Sequence, residues 1–376
     1  MGPYPHDAGP ATISETNPAG TDGFEFVEFA HPDAQALDTL FETLKFTPVA
    51  RHKHKAITLW RQGGVNFLAN AQPGSHAVQF TVEHGACAAS MAWRVADARH
   101  AFEHAVGLGA EPAQLPAAQK ALDVPAIRGI GGSLIYFVDR YRDGATAYDA
   151  EFAWTNERDP QPAGSGLFYI DHLTHNVRRG RMDTWAGFYE RLFGFKQIRY
   201  FDISGKVTGL LSRAMTSPCG KLRIPINEST DAKSQIEEYL TAYRGEGIQH
   251  IACGSRNLYD SVDELRARGL AFMPAPPPAY YDRIDARLPG HGEPIERLAE
   301  RGILIDGEHV ETGAQTKVLL QIFSGTVIGP IFFEFIERKG DDGFGEGNFR
   351  ALFESIEDDQ IRRGVLDAPR PAHAKV

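Results

Sequence analysis

Short apolar segments recur along the chain, and IFFEFIER at 331–338 carries a glutamate, Glu334, inside such a run. Because residues two apart in a strand share a face, Glu334 lies on the same side as Phe332 and Ile336. Burying an ionised carboxylate without a partner costs several kcal/mol. The pattern therefore predicts a strand whose glutamate is paired by a group from elsewhere in the chain.

Matching segments in the two halves of the chain indicate an internal duplication. DARHAFEHAVGLGAEP, from Asp97, and NLYDSVDELRARGLAF, from Asn257, both have the apolar spacing of a helix and a glycine near the end. FETLKF and YERLFGF also match, with their glutamates, Glu42 and Glu190, 148 residues apart. Strand-like runs precede both, so the repeated unit is a strand, a helix and several further strands.

The duplication extends over most of the chain, because SLIYFVDR at 133–140 matches IFFEFIER at 331–338. Between the halves, NERDPQPAGSG at 156–166 has the polar, Pro- and Gly-rich composition of a linker. The sequence therefore predicts an α+β fold of tandem duplicated βαβββ modules.

We expect the two domains to span residues 21–157 and 167–366. Residues 1–20 and 367–376 match no pattern of a folded segment and are expected to be disordered. Near the end of the second domain, apolar residues that begin with Phe349 recur on one helical face. This spacing predicts a helix that covers an apolar surface.

Composition narrows the class of protein. Of 376 residues, 42% are apolar and 23% are charged, which is typical of a folded globular chain. A net charge of -10 without a basic cluster argues against a nucleic-acid partner. Without an apolar stretch of about 18 residues or the apolar core of a signal peptide, we expect a cytoplasmic protein that binds a small molecule and no membrane. The widely spaced Cys87, Cys219 and Cys253 are expected to be reduced.

Two histidines in strand-like segments of the second half can pair Glu334 through a metal ion. They are His172 in YIDHLTHNV and His250 in GEGIQHIACG. Two imidazoles and a carboxylate form the facial triad that leaves open positions on Fe(II). Zinc is the alternative metal, but it usually comes with an HExxH helix, which this sequence lacks. His175 lies an odd number of residues from His172, and spacing alone does not decide which of the two faces the site.

The first half lacks these three ligands. The offsets between the repeats place Phe24 opposite His172, Tyr136 opposite Glu334, and His250 near Ser90. We therefore expect a first domain without a metal site.

Several longer stretches of the chain carry a resemblance to known proteins. They are FYIDHLTHNV, SPCGKLRIPINES followed by SQIEEYLTAYRGEGIQHIA, LLQIFS, and FFEFIERKGDDGFGEGNFRALFESIE. Together they resemble the 4-hydroxyphenylpyruvate dioxygenase family of the vicinal oxygen chelate superfamily. The resemblance covers roughly residues 21–366. It implies two open β-barrel-like domains of the glyoxalase type, with a C-terminal lid helix that begins near Asn348. It also implies Fe(II) bound by His172, His250 and Glu334, which decides against His175.

A substrate pocket beside the metal is also implied by the resemblance. Its polar, catalytic groups would be Ser212, Asn227, Gln235, Gln249 and Gln321. Its substrate-binding residues would be Phe323, Phe332, Phe344, Phe349 and Asn348. Neutral amides suit such a site, because they orient a phenol and a developing oxyanion without adding charge beside a buried metal.

The implied reaction converts 4-hydroxyphenylpyruvate and O2 to homogentisate and CO2 in tyrosine catabolism. It combines oxidative decarboxylation, ring hydroxylation and side-chain migration. A homo-oligomer, a dimer or a tetramer, is also implied. Two alternatives stay open. One is 4-hydroxymandelate synthase, which hydroxylates the benzylic carbon of the same substrate, and the other is a non-catalytic binding module of the same fold.

Overall fold

The computed structural model describes residues 8–142, 144–156, 159–204, 208–308, 316–345, 347–348, 357 and 360–367. Within these ranges, no helix combines the length and apolar character needed to cross a membrane. Phe349 and the rest of the segment 349–356, where the lid helix was expected, lie outside the described residues.

The first half is a strand-rich domain that begins with the strand, helix and further strands expected for the module. Its elements are β1 (Thr21–Ala30), α1 (Ala34–Thr43), β2 (Thr47–His52), β3 (Ile57–Gln62), β4 (Val65–Asn70), α2 (His76–His84), β5 (Cys87–Val95), α3 (Ala98–Gly107), β6 (Ala126–Arg128), β7 (Leu134–Val138) and β8 (Phe152–Trp154). Short 3-10 helices lie at Ala117–Gln119 and Ile130–Gly132.

The second half repeats this order and adds elements near its end. They are β9 (Leu167–Val177), α4 (Met182–Phe193), β10 (Lys196–Ser204), β11 (Gly209–Thr216), β12 (Arg223–Ser229), α5 (Gln235–Tyr243), β13 (Gly247–Ser255), α6 (Leu258–Ala267), α7 (Pro278–Tyr281), α8 (Ile284–Arg287), α9 (Ile295–Arg301), β14 (Leu304–Glu308), β15 (Lys317–Phe323) and β16 (Phe332–Lys339).

Each half forms one mixed, eight-stranded sheet. The strand orders are β6-β7-β5-β1-β4-β3-β2-β8 and β10-β11-β12-β9-β13-β16-β15-β14. Read in opposite directions, the two orders place β1 with β9, β5 with β13, and β7 with β16. The expected α+β fold of duplicated modules is therefore confirmed, with β8 and β14 as additions to one sheet each.

Strand pairing identifies the first-domain residues that correspond to two of the ligands. His172 and Glu334 flank one residue of β13, and Phe26 and Tyr136 flank the corresponding residue of β5. The sequence offset had placed Phe24 opposite His172, and this expectation is wrong. The connection from strand to helix is longer in the second half, so an offset taken from the helices does not apply to the strands.

Apolar side chains fill the interior of the first domain where the second has its site. Phe26 and Tyr136 lie in a buried cluster with Tyr148 and Phe152, and their rings are in mutual contact. A separate core joins the two domains, in which Phe29 of β1 packs on Phe333 of β16. The first domain therefore supports the second through packing.

Residues just before β1 are ordered, in contrast to the disorder expected for 1–20. The Asn17 side-chain amide donates to the Thr21 carbonyl at 3.0 Å, and Ala19 is fully buried. Residues 1–7 and 368–376 lie outside the described residues.

Candidate metal centre

Three adjacent strands in the order β9-β13-β16 each bring one ligand to the same point. Nε2 of His172 lies 3.0 Å from Oε2 of Glu334, and Nε2 of His250 lies 3.3 Å from the same oxygen. The two Nε2 atoms are 3.3 Å apart. All three residues are buried. The partners that the buried glutamate of β16 requires are therefore two imidazoles.

These separations fit donors that share one metal ion. Ligand atoms about 2.1 Å from an ion and at right angles to each other lie about 3.0 Å apart. Among the described residues, this is the group of histidine and carboxylate donors that could hold a metal. Since all three donors come from one side, His172, His250 and Glu334 can bind a divalent first-row metal and leave its other side open.

His175 is excluded from this group by the direction of its side chain. It lies on the opposite face of β9, where Nε2 is 2.7 Å from the hydroxyl of Tyr189. Burial lowers the pKa of His175 to about 3, so the ring is neutral. Its role is packing between the strand and α4.

The two histidine ligands are each oriented by the residue that precedes them. Nδ1 of His172 donates to Oδ1 of Asp171 at 2.9 Å, and Nδ1 of His250 donates to Oε1 of Gln249 at 3.0 Å. With the proton fixed on Nδ1, each Nε2 presents its lone pair to the metal.

A β-bulge at each of these residues makes the contact possible. In the pairing of β9 with β13, Gln249 is the extra residue between Ile248 and His250, and Asp171 is the extra residue before His172. Adjacent residues of a regular strand point to opposite faces, and a bulge relaxes that rule. The bulges therefore place each side chain beside its neighbour's imidazole.

Glu334 is held by a series of hydrogen bonds from two side-chain amides, those of Gln321 and Asn348. Nε2 of Gln321 donates to Oε1 of Glu334 at 2.7 Å and to the carbonyl of Phe344 at 3.2 Å. This contact with a carboxylate fixes the amide orientation of Gln321, so its Oε1 must accept from Nδ2 of Asn348 at 2.8 Å. All three metal ligands thus have a hydrogen-bonded partner.

Electrostatics keep the carboxylate ionised. Burial would raise the pKa of Glu334, but the two histidines outweigh this effect and lower the pKa to about 2. Burial lowers the pKa of His250, whereas for His172 the carboxylates of Glu334 and Asp171 overcome burial and raise the pKa. The site therefore offers an anionic oxygen even without a metal.

A cavity adjoins the three ligands. Its other lining residues, all from the second domain, are Thr174, Phe201, Ser212, Pro225, Gln321, Phe323 and Phe344. Asn227 pairs with Ser212 across β11 and β12. Both residues are buried, and Oγ of Ser212 and Oδ1 of Asn227 have no hydrogen-bond partner among the described residues. Buried polar atoms of this kind are normally satisfied, so they are suited to hold a ligand.

Other predicted pocket residues lie on a second cavity, between the domains. Gln235, Gln249 and Phe332 line it together with residues of the first domain such as His84. Phe332 also stacks on the ring of His250, with centroids 4.8 Å apart. Of these three residues, Gln249 and Phe332 contact His250, whereas Gln235 lines only the second cavity.

Sequence reasoning missed four residues of the site: Asp171, Thr174, Phe201 and Pro225. Thr174 could have been found, because it is two residues after His172 and must share its face. Its hydroxyl lies 2.9 Å from Nε2 of His250. Asp171 could not have been found in this way, because in a regular strand its side chain would point away from the metal.

The fold and the site define a class of protein, a mononuclear metal enzyme whose two histidines and one glutamate lie in an aromatic cavity of a duplicated βαβββ fold. The family model described as "Hydroxyphenylpyruvate dioxygenase, HPPD, N-terminal" matches residues 15–153. The model described as "Glyoxalase/Bleomycin resistance protein/Dioxygenase superfamily" matches residues 169–290.

Comparison with known proteins gives the family. The chain is 53% identical to 4-hydroxyphenylpyruvate dioxygenase of Pseudomonas aeruginosa, over 95% of this chain and 99% of that protein. It is 55% identical to "Hemolysin VllY" of Vibrio vulnificus, over 94% of this chain and 99% of that protein. A mutant of 4-hydroxymandelate synthase from Streptomyces coelicolor superimposes with a TM-score of 0.76 at 26% identity, over 90% of this chain and 99% of that chain. The chain belongs to the 4-hydroxyphenylpyruvate dioxygenase family, and its His/His/Glu triad is the metal site of such a dioxygenase.

Proposed function

We propose that the metal is Fe(II) and that the chain converts 4-hydroxyphenylpyruvate and O2 to homogentisate and CO2. The observation that carries this proposal is the convergence of two Nε2 atoms and one carboxylate oxygen within 3.0–3.3 Å of one another, beside an aromatic cavity. Bound iron supplies open coordination positions and redox chemistry toward a 2-oxo acid and O2.

The protein's part in this reaction is to bind and orient the substrate. Its 2-oxo acid end belongs at the open side of His172, His250 and Glu334. The phenol ring then extends into the cavity between Phe323 and Phe344. Aromatic side chains contribute large apolar contact area, and edge-to-face ring pairs add about 0.5–1.5 kcal/mol.

Ser212 and Asn227 support this orientation because their buried polar atoms have no partner among the described residues. A hydroxyl can donate or accept, and an amide carbonyl accepts from a phenol O–H. We assign them to the oxygen atoms of the substrate. We also propose that Gln235 and Gln249 contact the substrate, although Gln249 also orients His250.

Exclusion of water is a further task of the cavity. Phe344 packs edge-on against the ring of His172, with centroids 5.6 Å apart, and closes the site from the segment after β16. An apolar wall at this place would keep solvent from the open side of a bound metal. Coverage by a lid helix that includes Phe349 stays a prediction.

4-Hydroxymandelate synthase activity is the second candidate, because a mutant of that enzyme has the same fold over 90% of this chain. Both reactions consume O2 and release CO2, so measuring oxygen uptake or CO2 release does not distinguish the two activities. They differ in whether oxygen is added to the ring or to the benzylic carbon. Only the product identifies the activity.

The test uses the purified full chain, loaded with Fe(II) without oxygen and then mixed with 4-hydroxyphenylpyruvate and O2. We expect oxygen uptake and homogentisate as the main product by chromatography, with His250→Ala as the inactive control. 4-Hydroxymandelate as the main product would replace the proposal with the second candidate. Iron binding without oxygen uptake would instead indicate a non-catalytic module. Homo-oligomerisation and a cytoplasmic location stay predictions, checked by sedimentation and cell fractionation.

A further inference from the structure

One arginine joins a metal ligand's partner to the segment that follows β16. Nε and Nη2 of Arg338 donate to the two carboxylate oxygens of Asp171 at 2.7 and 2.8 Å. Nη1 donates to the carbonyls of Gly343 at 2.5 Å and Asp341 at 3.2 Å. Since Asp171 accepts from Nδ1 of His172, a continuous path of hydrogen bonds runs from the metal position to residues 341–343.

The same segment is connected to a second ligand. Gln321 bonds both Glu334 and the carbonyl of Phe344. The Phe344 ring, in turn, contacts the ring of His172. The segment 341–345 is therefore tied to the metal position from two sides and forms one wall of the cavity.

The strength of the arginine link follows from its geometry and burial. The side chains of Arg338 and Asp171 are 2% and 0% exposed. A bidentate pair between a guanidinium and a carboxylate has two charge-assisted bonds in a fixed plane, and lysine cannot reproduce it. With the third nitrogen on the Gly343 carbonyl, a movement of the segment displaces Asp171 as well.

We propose that Arg338 is a positioning residue that couples metal binding to the position of segment 341–345. An ion on Nε2 of His172 fixes the ring, and Asp171 and Arg338 then hold the carbonyls that carry Phe344 into the cavity wall. By reciprocity, a segment held in place raises the affinity for the metal. The inference rests on the proposed binding of Fe(II) at this site.

The first domain contains a matched control. Glu25 is the bulge residue that corresponds to Asp171, and it accepts from Nε of Arg94 at 2.6 Å. The residue after Glu25 is Phe26 and not a ligand. Arg94→Gln therefore removes the ion pair at the corresponding position, in which the carboxylate is buried and the arginine is 32% exposed, without touching a metal ligand.

The experiment compares the wild-type chain with Arg338→Gln, Arg338→Lys and Arg94→Gln, each prepared metal-free. Co(II) titration without oxygen gives the metal affinity and the cobalt absorption spectrum. Hydrogen–deuterium exchange, with and without Co(II), reports on the amides of 341–345. In the wild type and Arg94→Gln, we expect Co(II) to slow this exchange.

In Arg338→Gln, we expect the affinity for Co(II) to fall by about tenfold or more, as for other partners of metal ligands. We also expect the Co(II)-dependent protection of 341–345 to disappear. Arg338→Lys keeps the positive charge but not the bidentate geometry, so it should restore little of the affinity or the protection. Undiminished Co(II)-dependent protection in Arg338→Gln would show that the arginine is merely structural and would overturn the proposal.

The wild-type measurement keeps the inference testable even if Arg338→Gln fails to fold. Binding of Co(II) and Fe(II) without any change in the exchange of 341–345 would overturn the coupling alone. Absence of binding of either metal would instead overturn the proposed function. The two failures are therefore distinguishable in one protein.

Discussion

Glu25 and Asp171 occupy the same position in the two domains, each as the extra residue of a β-bulge directly before the first metal position. In the second domain the next residue is the ligand His172, whereas in the first it is Phe26. The second bulge is also shared, with Ala89 corresponding to Gln249. The backbone geometry of a metal site is thus present twice, and side chains alone decide which copy binds.

Replacing Glu334 should remove the metal. Glu334→Ala deletes the carboxylate of the triad and leaves two neutral imidazoles, so we expect loss of both iron and turnover. Iron per chain after reconstitution, measured beside oxygen uptake, checks this. Glu28→Gln is the control, because Glu28 is also buried in a central strand but belongs to the first domain. Normal iron content in Glu334→Ala would contradict the ligand assignment.

Replacing Gln321 and Gln235 should affect metal affinity differently, although the family resemblance implied the same role in the substrate pocket for both. Gln321 donates to Glu334, whereas Gln235 lines the cavity between the domains. Gln321→Leu should weaken metal binding by about tenfold, because partners of metal ligands have effects of this size. Gln235→Leu should leave metal affinity unchanged. Metal titration of both variants tests the difference, and equal affinities would refute it.

His250 and Glu334 could be predicted from strand-like segments of the sequence, whereas the choice of His172 over His175 came from the family resemblance. Glu334 stood out among phenylalanines, and its two histidines had no counterpart in the first half. The partners Asp171 and Gln249 could not be assigned in this way. Their contacts depend on bulges, which arise from the pairing of two strands distant in sequence and leave no mark on either strand alone.

Arg338 was beyond sequence reasoning for a similar reason. In β16 it reads as an ordinary polar residue at a strand end, and only the fold brings it to Asp171, a residue of β9. The correspondence of Phe24 with His172 failed because loop lengths differ between the repeats. Local patterns and the family resemblance therefore predicted the elements and the ligands, whereas the residues that orient the ligands depend on long-range strand pairing.

Gly345 should be required for the Gln321 contact. Its φ is +72°, and a Cβ there would lie 1.9 Å from Oε1 of Gln321. Gly345→Ala should therefore displace Gln321 from Glu334 and reduce metal affinity and turnover with little loss of folded protein. Gly180→Ala is the control, because Gly180 has a φ of +77° and open space around it. Equal metal affinity in the two variants would show that the segment adapts without cost to the site.

His76 should make the protein less stable in mild acid. Burial, with a smaller contribution from Arg128, lowers its pKa from 6.5 to about 4 in the folded state. Between these values the unfolded chain binds a proton that the folded chain does not, so the free energy of unfolding falls as the pH falls. The change is about 1.4 kcal/mol per pH unit, and the full stability is present above pH 6.5.

The variant His76→Gln removes this titration and can still donate to the Gly132 carbonyl, which Nε2 of His76 approaches at 3.2 Å. We expect the difference in unfolding free energy between variant and wild type to move in favour of the variant by about 2 kcal/mol between pH 7.5 and 5. Urea unfolding at the two pH values measures this difference. High salt should leave it largely intact, because burial is the main cause and only the contribution of Arg128 is screened. A difference that stays constant with pH would show that folding does not lower the pKa of this ring.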